Sequence, residues 1–454
     1  MSISLSQALR ISDSPCIAFT GSGGKTTAIF LLAKSLGKTS PVIVTASTHL
    51  GAWQAPLAER HLIVEADFTA ESMESQPQGV TLVTGALDGD RIKPLNEEAL
   101  NSLNVYCKNH AIALLIEADG SRQKPLKAWA EHEPPIPAFV DEVVEVTGLL
   151  GLGKPLGAEN VHRPELFSSL SGLNMGASVT PKYLVRVLTH PQGGKKNIPP
   201  GARHVAMLNQ ADTIELQSIA HGMAYSLLTS FHSVVVSSLK EESIFAVHEP
   251  VAGIILAAGG STRFGKPKQL LDWKGQPFVR AVATKALAAG LSPVVIVVGA
   301  NAEQVESTVK DLDVMIVRNI DWISGQANSI REGIKVFLSS LTEGFENDLE
   351  KAGAAIFLLV DQPQITTSIL LGLVEKHASG LFPIVAPIVL DRRANPVLFD
   401  RITFRDLLSL EGDVGGRAIF HKFQVEYLTW HDDRMLLDVD TPEQYERMIS
   451  DETL

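Results

Sequence analysis

Short aliphatic runs recur along this chain, each followed by a polar or glycine-rich turn and then a segment with helical spacing. In the first half they fall at 16–19, 42–45, 61–64, 81–84, 112–118, 143–146, 204–209 and 234–237. In the second half they fall at 253–256, 293–298, 314–317, 355–360, 384–386 and 425–428. Several are continuous rather than alternating, as strands are when helices cover both faces of a sheet. This rhythm predicts an α/β fold with two doubly wound domains. Residues 190–203, rich in Pro and Gly, predict a surface loop. Residues 238–250 read as the connection between the halves, which gives domains at 1–245 and 249–454.

The first strand of each half runs into a glycine-rich loop. In the first half the loop is Gly21-Ser22-Gly23-Gly24-Lys25-Thr26-Thr27, opening a helical run. Small residues let phosphates approach the backbone, whose N–H groups and helix N-terminus can cradle them. Lys25 would reach the outer phosphate oxygens, and the Thr26 hydroxyl suits Mg²⁺. Gly21, Gly23, Gly24, Lys25, Thr26 and Thr27 are therefore candidate nucleotide ligands. Phe19 stands where the usual first glycine would be, so the loop resembles the shortened form of partitioning-type ATPases and Mur ligases. The partitioning enzymes carry an extra lysine where this chain has Thr20. The strand at 112–118 leads to Asp119, a candidate to hold Mg²⁺ through water, with Glu117 as the alternative. Asn209-Gln210-Ala211-Asp212 echoes the element that reads guanine in GTPases, with Gln210 in place of its lysine. ATP or GTP is the nucleotide expected in this half.

In the second half the loop comprises Leu256, Ala257, Ala258, Gly259 and Gly260, with the cations Arg263, Lys266 and Lys268 beyond it. The strand at 355–360 ends in Asp361, where open α/β sheets bind ligands. Asp438 and Asp440 come late, before a helix opened by Pro442, and either can serve as a helix cap. Asn395 and Arg417 sit in two further short motifs. Cations on a loop, a strand-end Asp and a late Asp pair suit nucleotidyl transfer. An oxyanion attacks the α-phosphorus of a nucleoside triphosphate and pyrophosphate leaves. An attacking phosphate is already ionised, so no catalytic base is required. Asp361 and Asp440 are the candidate Mg²⁺ ligands of this half, as Thr26 and Asp119 are of the first. Trp273, Trp322, Lys124, Lys127 and His431 read as packing or solvated residues.

The net charge of −12 argues against a nucleic-acid partner. Two cysteines and no long apolar stretch predict a cytoplasmic chain with no membrane span.

The second half resembles the MobA-like nucleotidyltransferases, and within them the molybdenum cofactor cytidylyltransferases. The resemblance rests on Leu256 to Gly259, Ser261, Arg263, Phe264, Gly265 and Lys268. It extends over Ser329 and Arg331 near the nucleotide, Asp361-Gln362-Pro363, Asn395-Pro396-Val397, Gly412-Asp413 to Arg417, and Asp438 to Pro442. It implies Arg263, Lys268 and Asp361 as catalytic residues, Asn395 and Arg417 as substrate-binding residues, CTP as substrate and molybdenum-loaded molybdopterin as acceptor. It also implies a fold like that of nucleotide-diphospho-sugar transferases. The guanylyltransferase relatives usually carry Gly where this chain has Ala258, and the added methyl favours the smaller cytosine.

The first half resembles the YqeC-type accessory family of selenium-dependent molybdenum hydroxylases. The matching pieces are the loop at 21–27, Thr45 to His49, Glu117 to Ala128, and His162-Arg163-Pro164-Glu165. The resemblance implies an apo-hydroxylase as client. It leaves open whether this half is an NTPase or a non-catalytic module that delivers cofactor. A nucleotidyltransferase using GTP or another phosphorylated acceptor is the alternative for the second half.

Overall fold

The computed structural model describes residues 3–11, 14–65, 68–70, 77–261, 264–340 and 352–450. The chain divides into two compact units between His248 and Glu249. Among the described residues, no helix is long and apolar enough to cross a membrane.

The first unit is built on a nine-stranded sheet. Its strands are β1 (Cys16–Gly21), β2 (Val42–Ala46), β3 (Arg60–Ile63), β4 (Val80–Thr84), β5 (Ala113–Glu117), β6 (Glu142–Gly148), β7 (Arg203–Asn209), β8 (Ser233–Ser238) and β9 (Ser243–His248). They lie in the order β9-β8-β7-β6-β1-β5-β2-β4-β3. Neighbours run parallel, except that β9 turns back antiparallel on β8. β1 is central and every one of its residues is buried, as its continuous apolar run predicts. β9 occupies residues read from sequence as part of the connection. Its residues Ile244, Ala246, Val247 and His248 pair with β8, so the first unit's sheet runs through the expected connection. The loop at 190–203 is not simply a surface loop: Gly193 and Gly194 are buried, and the Lys196 ammonium caps the carbonyls of Ala130 and Glu131.

His204 on β7 is buried, and burial pulls its pKa down to about 3. Unfolding frees it to titrate near 6.5. The unfolded chain therefore binds more protons between these values, so this contribution is present above pH 6.5 and is lost as pH falls through the window. We expect the first unit to lose roughly 2–3 kcal/mol from this residue between pH 7 and pH 4.5. Denaturant titrations at both pH values on wild type and His204→Phe check this; equal pH dependence in the two would contradict it.

The second unit is built on an eight-stranded sheet: β10 (Val251–Ala257), β11 (Val294–Val298), β12 (Met315–Arg318), β13 (Ala354–Leu359), β14 (Ile384–Val389), β15 (Arg392–Arg393), β16 (Val397–Asp400) and β17 (Val425–Thr429). The order is β12-β11-β10-β13-β16-β14-β15, with β17 on β14. β12, β11, β10 and β13 are parallel, and β16 lies antiparallel between β13 and β14. Side chains of β10 alternate between two cores. Ile255 joins Phe278 and Val282 of helix Phe278–Ala288, and Ile254 joins Ile330, Ile334 and Phe337 of helix Gln326–Ser339. Phe278 and Phe337 are fully buried, each contributing about 1.5–3 kcal/mol by removal from water. Both units are thus mixed α/β layers on largely parallel sheets, and the second has the Rossmann-like arrangement expected of a nucleotidyltransferase.

Candidate functional sites

The first site sits at the C-terminal end of β1. The loop after it needs φ values that favour glycine: +92° at Gly21, +79° at Gly23 and +135° at Gly24. A Cβ on Gly23 would meet the Gly148 Cα at 2.4 Å, so space forbids a side chain as well. Helix Lys25–Leu36 starts without a side-chain cap, leaving its first N–H groups directed at the loop. Gly23, Gly24, Lys25, Thr26 and Thr27 line a cavity of about 960 Å³.

Lys25 is buried. Its ammonium donates to the Gly21 carbonyl at 2.6 Å and lies 3.2 Å from Asp119. Asp119 is fully buried and accepts from Gly21 N (3.0 Å), Trp129 Nε1 (2.9 Å) and Lys127 Nζ (2.7 Å). Burial pushes this carboxyl up, but Lys127 and Lys25 outweigh it and hold it below the ordinary range. Asp119 is therefore taken up by the protein. The carboxylate beside Thr26 is Glu117, whose Oε2 accepts the Thr26 hydroxyl at 3.2 Å and which lines the cavity. Of the two carboxylates weighed from sequence, Glu117 stands nearer the candidate metal hydroxyl. Burial raises the Glu117 pKa against the pull of Lys25.

Sequence reasoning missed much of the support beneath this loop. Glu145 on β6 is buried, accepts the Thr20 hydroxyl, and is held well above the usual carboxylate range by its burial. Lys127, read as solvated, is buried and bridges Asp119 to Glu133. Glu133 in turn takes both Arg163 nitrogens at 2.6 and 2.7 Å. Asn209 and Asp212 are spent on the scaffold. Asn209 donates to the Gly23 carbonyl (2.8 Å) and accepts from Leu239 N (2.9 Å), while Asp212 accepts the Ser238 hydroxyl (2.6 Å).

The second site lies at the C-terminal ends of β10 and β13. Leu256, Ala258, Gly259, Gly260, Lys268, Ser329 and Asp361 line one cavity of about 710 Å³. Ala257 faces the core instead. Its carbonyl and that of Gly259 both accept from Gln269 Nε2, at 2.9 and 2.7 Å. Gln269, buried and adjacent to Lys268, shapes the loop and was not singled out from sequence. Lys268 brings two distant carboxylates together, with Nζ 3.3 Å from Asp361 and 2.7 Å from Asp440. Burial raises the Asp361 pKa against the pull of Lys268. Asp438 is occupied elsewhere, accepting from the Gln362 amide at 2.7 Å. Ser329 accepts from Asn319 at 2.9 Å. Trp322, expected to pack, does so against Gly260 and Gly299 and also walls the cavity. Arg263 lies outside the described residues.

A smaller cavity of about 250 Å³ is lined by Asn395, Arg417, Phe357 and Phe399. Leu256, Gln326 and Leu359 line both cavities, so the two are contiguous. Arg417 Nη2 approaches Asn395 Oδ1 at 3.4 Å.

Residues 253–428 match the MobA-like NTP transferase domain, and residues 17–165 match the YqeC protein family. The uncharacterized protein YqeC of Escherichia coli (strain K12) is 33% identical over 205 residues, 44% of this chain and 77% of that one. The chain is a YqeC domain fused to a MobA-like NTP transferase domain. Two relatives of the MobA-like half carry different names. The nicotine blue oxidoreductase of Paenarthrobacter nicotinovorans is 31% identical over 208 residues, covering 44% of this chain and 96% of that protein. A probable molybdenum cofactor guanylyltransferase of Bacillus cereus (strain AH820) is 28% identical over 137 residues, 30% of this chain and 62% of the other. The MobA-like domain is a nucleotidyltransferase domain with relatives in molybdenum cofactor chemistry.

Proposed function

We propose that the MobA-like domain transfers CMP from CTP to the terminal phosphate of molybdenum-loaded molybdopterin, giving a cytosine dinucleotide and pyrophosphate. The observation that carries this reading is the meeting of Lys268, Asp361 and Asp440 at the glycine loop, beside a contiguous second cavity. The loop amides and Ser329 bind the nucleotide. Asn395 and Arg417 hold the acceptor, whose phosphate oxygen attacks the α-phosphorus in line with the departing pyrophosphate. The bond from the α-phosphorus to the bridging oxygen breaks, and pyrophosphate leaves with that electron pair. Lys268 neutralises charge on the phosphates, and Arg263 is assigned the same task. Two carboxylates converging on one cation suit a divalent ion that keeps waters and takes phosphate oxygens. Asp361 and Asp440 would hold it, and it would supply electrostatic stabilisation of the transferring phosphoryl group.

Ala258 is buried at the edge of the core and is among the residues lining the nucleotide cavity, and we assign its methyl to narrowing the space for the base. We expect CTP to be the preferred substrate, and Ala258→Gly to shift the CTP-to-GTP preference toward GTP by roughly tenfold. Transfer from each labelled triphosphate measures it. Faster GMP than CMP transfer by the wild type would overturn the choice of base.

For the YqeC domain the proposal is a P-loop-like nucleotide site that binds ATP or GTP with Mg²⁺, held by Thr26 and Glu117, in the maturation of a molybdenum hydroxylase. The glycine loop, the uncapped helix start and the buried Lys25 support it.

A further inference from the structure

We propose that the cavity of the YqeC domain holds two ligands: a nucleoside triphosphate on the glycine loop and, opposite it, an anion bearing a flat ring. The inference rests on reading the loop as a nucleotide site. The cavity, at about 960 Å³, lies at the upper end of the roughly 300–1,000 Å³ typical of small-molecule sites.

Part of its lining lies off the main sheet. A separate three-stranded sheet, made of Leu50–Gly51, Leu87–Asp88 and Arg91–Ile92, contributes Leu50, Gly51 and Arg91. Gly51 pairs with Arg91, which brings Trp53 and Arg91 to one rim. The Trp53 indole lies against Gly51, where a Cβ would come within 2.3 Å of its Nε1. The side chain is nonetheless 56% exposed, at the edge of a cavity. The same cavity is lined by Arg122, on the turn that follows Asp119. Arg122 and Gln123 hold φ values of +50° and +59°. Two successive non-glycine residues in that region cost about 1–2 kcal/mol each, a strain that persists where the site needs it.

Among the described residues, the side chains of Arg91 and Arg122 have no ion-pair or hydrogen-bond partner. Asp90 shares the rim. An unpaired guanidinium offers a planar fork for an oxyanion, and an exposed indole offers a face for a flat ring. The loop and Lys25 already account for a triphosphate, so these three side chains are left for a second ligand.

The test uses pterin-6-carboxylate, a fluorescent flat-ring anion of the class that the other domain is proposed to handle. It is titrated into the full chain with Mg²⁺ and a non-hydrolysable ATP or GTP analogue bound. The chain carries Asn395→Ala and Arg417→Ala, which remove the proposed acceptor site of the MobA-like domain from the readout. We expect saturable binding that weakens at least tenfold in Arg91→Ala/Arg122→Ala and in Trp53→Ala, and that Trp53→Phe largely restores. Nucleotide affinity should stay within twofold in these variants. Failure of the pterin to bind while the analogue binds, equal binding by the double arginine variant, or competition between pterin and nucleotide would overturn the second subsite. Unchanged analogue binding in Lys25→Ala would instead overturn the nucleotide site beneath it.

Discussion

Asp361→Ala is expected to lower pyrophosphate release by the MobA-like domain about 10²–10³-fold or more, with no loss of stability. Asp361 stands just beyond β13 and shares Lys268 with Asp440. Removing it leaves one candidate carboxylate for the metal and frees Lys268 to swing toward Asp440. Stability should hold because burial makes the ionised carboxylate unfavourable, as its raised pKa records. An uncharged side chain ends that desolvation penalty. Asp361→Asn separates charge from shape and should be nearly as inactive. Activity within threefold of wild type, with the fold intact, would remove Asp361 from the metal site.

Lys25→Ala is expected to abolish nucleotide binding by the YqeC domain and to destabilise that domain by about 3–5 kcal/mol. Lys25 is buried against Asp119, Glu117 and Glu145, and its removal leaves Lys127 as the cation nearest them in this cluster. Lys25→Met keeps the packing and isolates the loss of charge. Thermal melting with and without Mg²⁺ and nucleotide reads both effects. Ligand at about a hundredfold over its dissociation constant stabilises a binding fold by about 2.7 kcal/mol, which is visible in the melting temperature. A Lys25→Met variant that still melts higher with nucleotide would contradict the assignment.

Much of this was legible in the amino-acid sequence because glycine loops and strand-end carboxylates are local. The turn at Gly21 to Thr27 needs backbone angles that glycine allows, and Asp361 follows directly from the apolar run before it. What escaped depends on contacts distant in sequence. Lys127 stands between Leu126 and Ala128 with nothing local to mark it, yet the fold buries it against Asp119 and Glu133. Gln269 follows Lys268 on a polar stretch, and only the tertiary path of the loop brings two carbonyls to its amide. β9 carries the apolar run Ile244-Phe245-Ala246-Val247, but the polar residues before it and the proline after it mask that run, and its antiparallel place beside β8 is set by tertiary pairing. Asp119 differs from Glu117 because Lys127 and Trp129, brought in by tertiary packing, engage it, while Glu117 is left to Thr26.

The two named activities among the relatives of the MobA-like half imply different products, and one measurement separates them. The full chain is mixed with Mg²⁺, molybdenum-loaded molybdopterin and one triphosphate at a time, and pyrophosphate is followed together with the dinucleotide. The account predicts one pyrophosphate per dinucleotide formed, fastest with CTP, and no signal without the pterin. Absence of pyrophosphate with every triphosphate would contradict it.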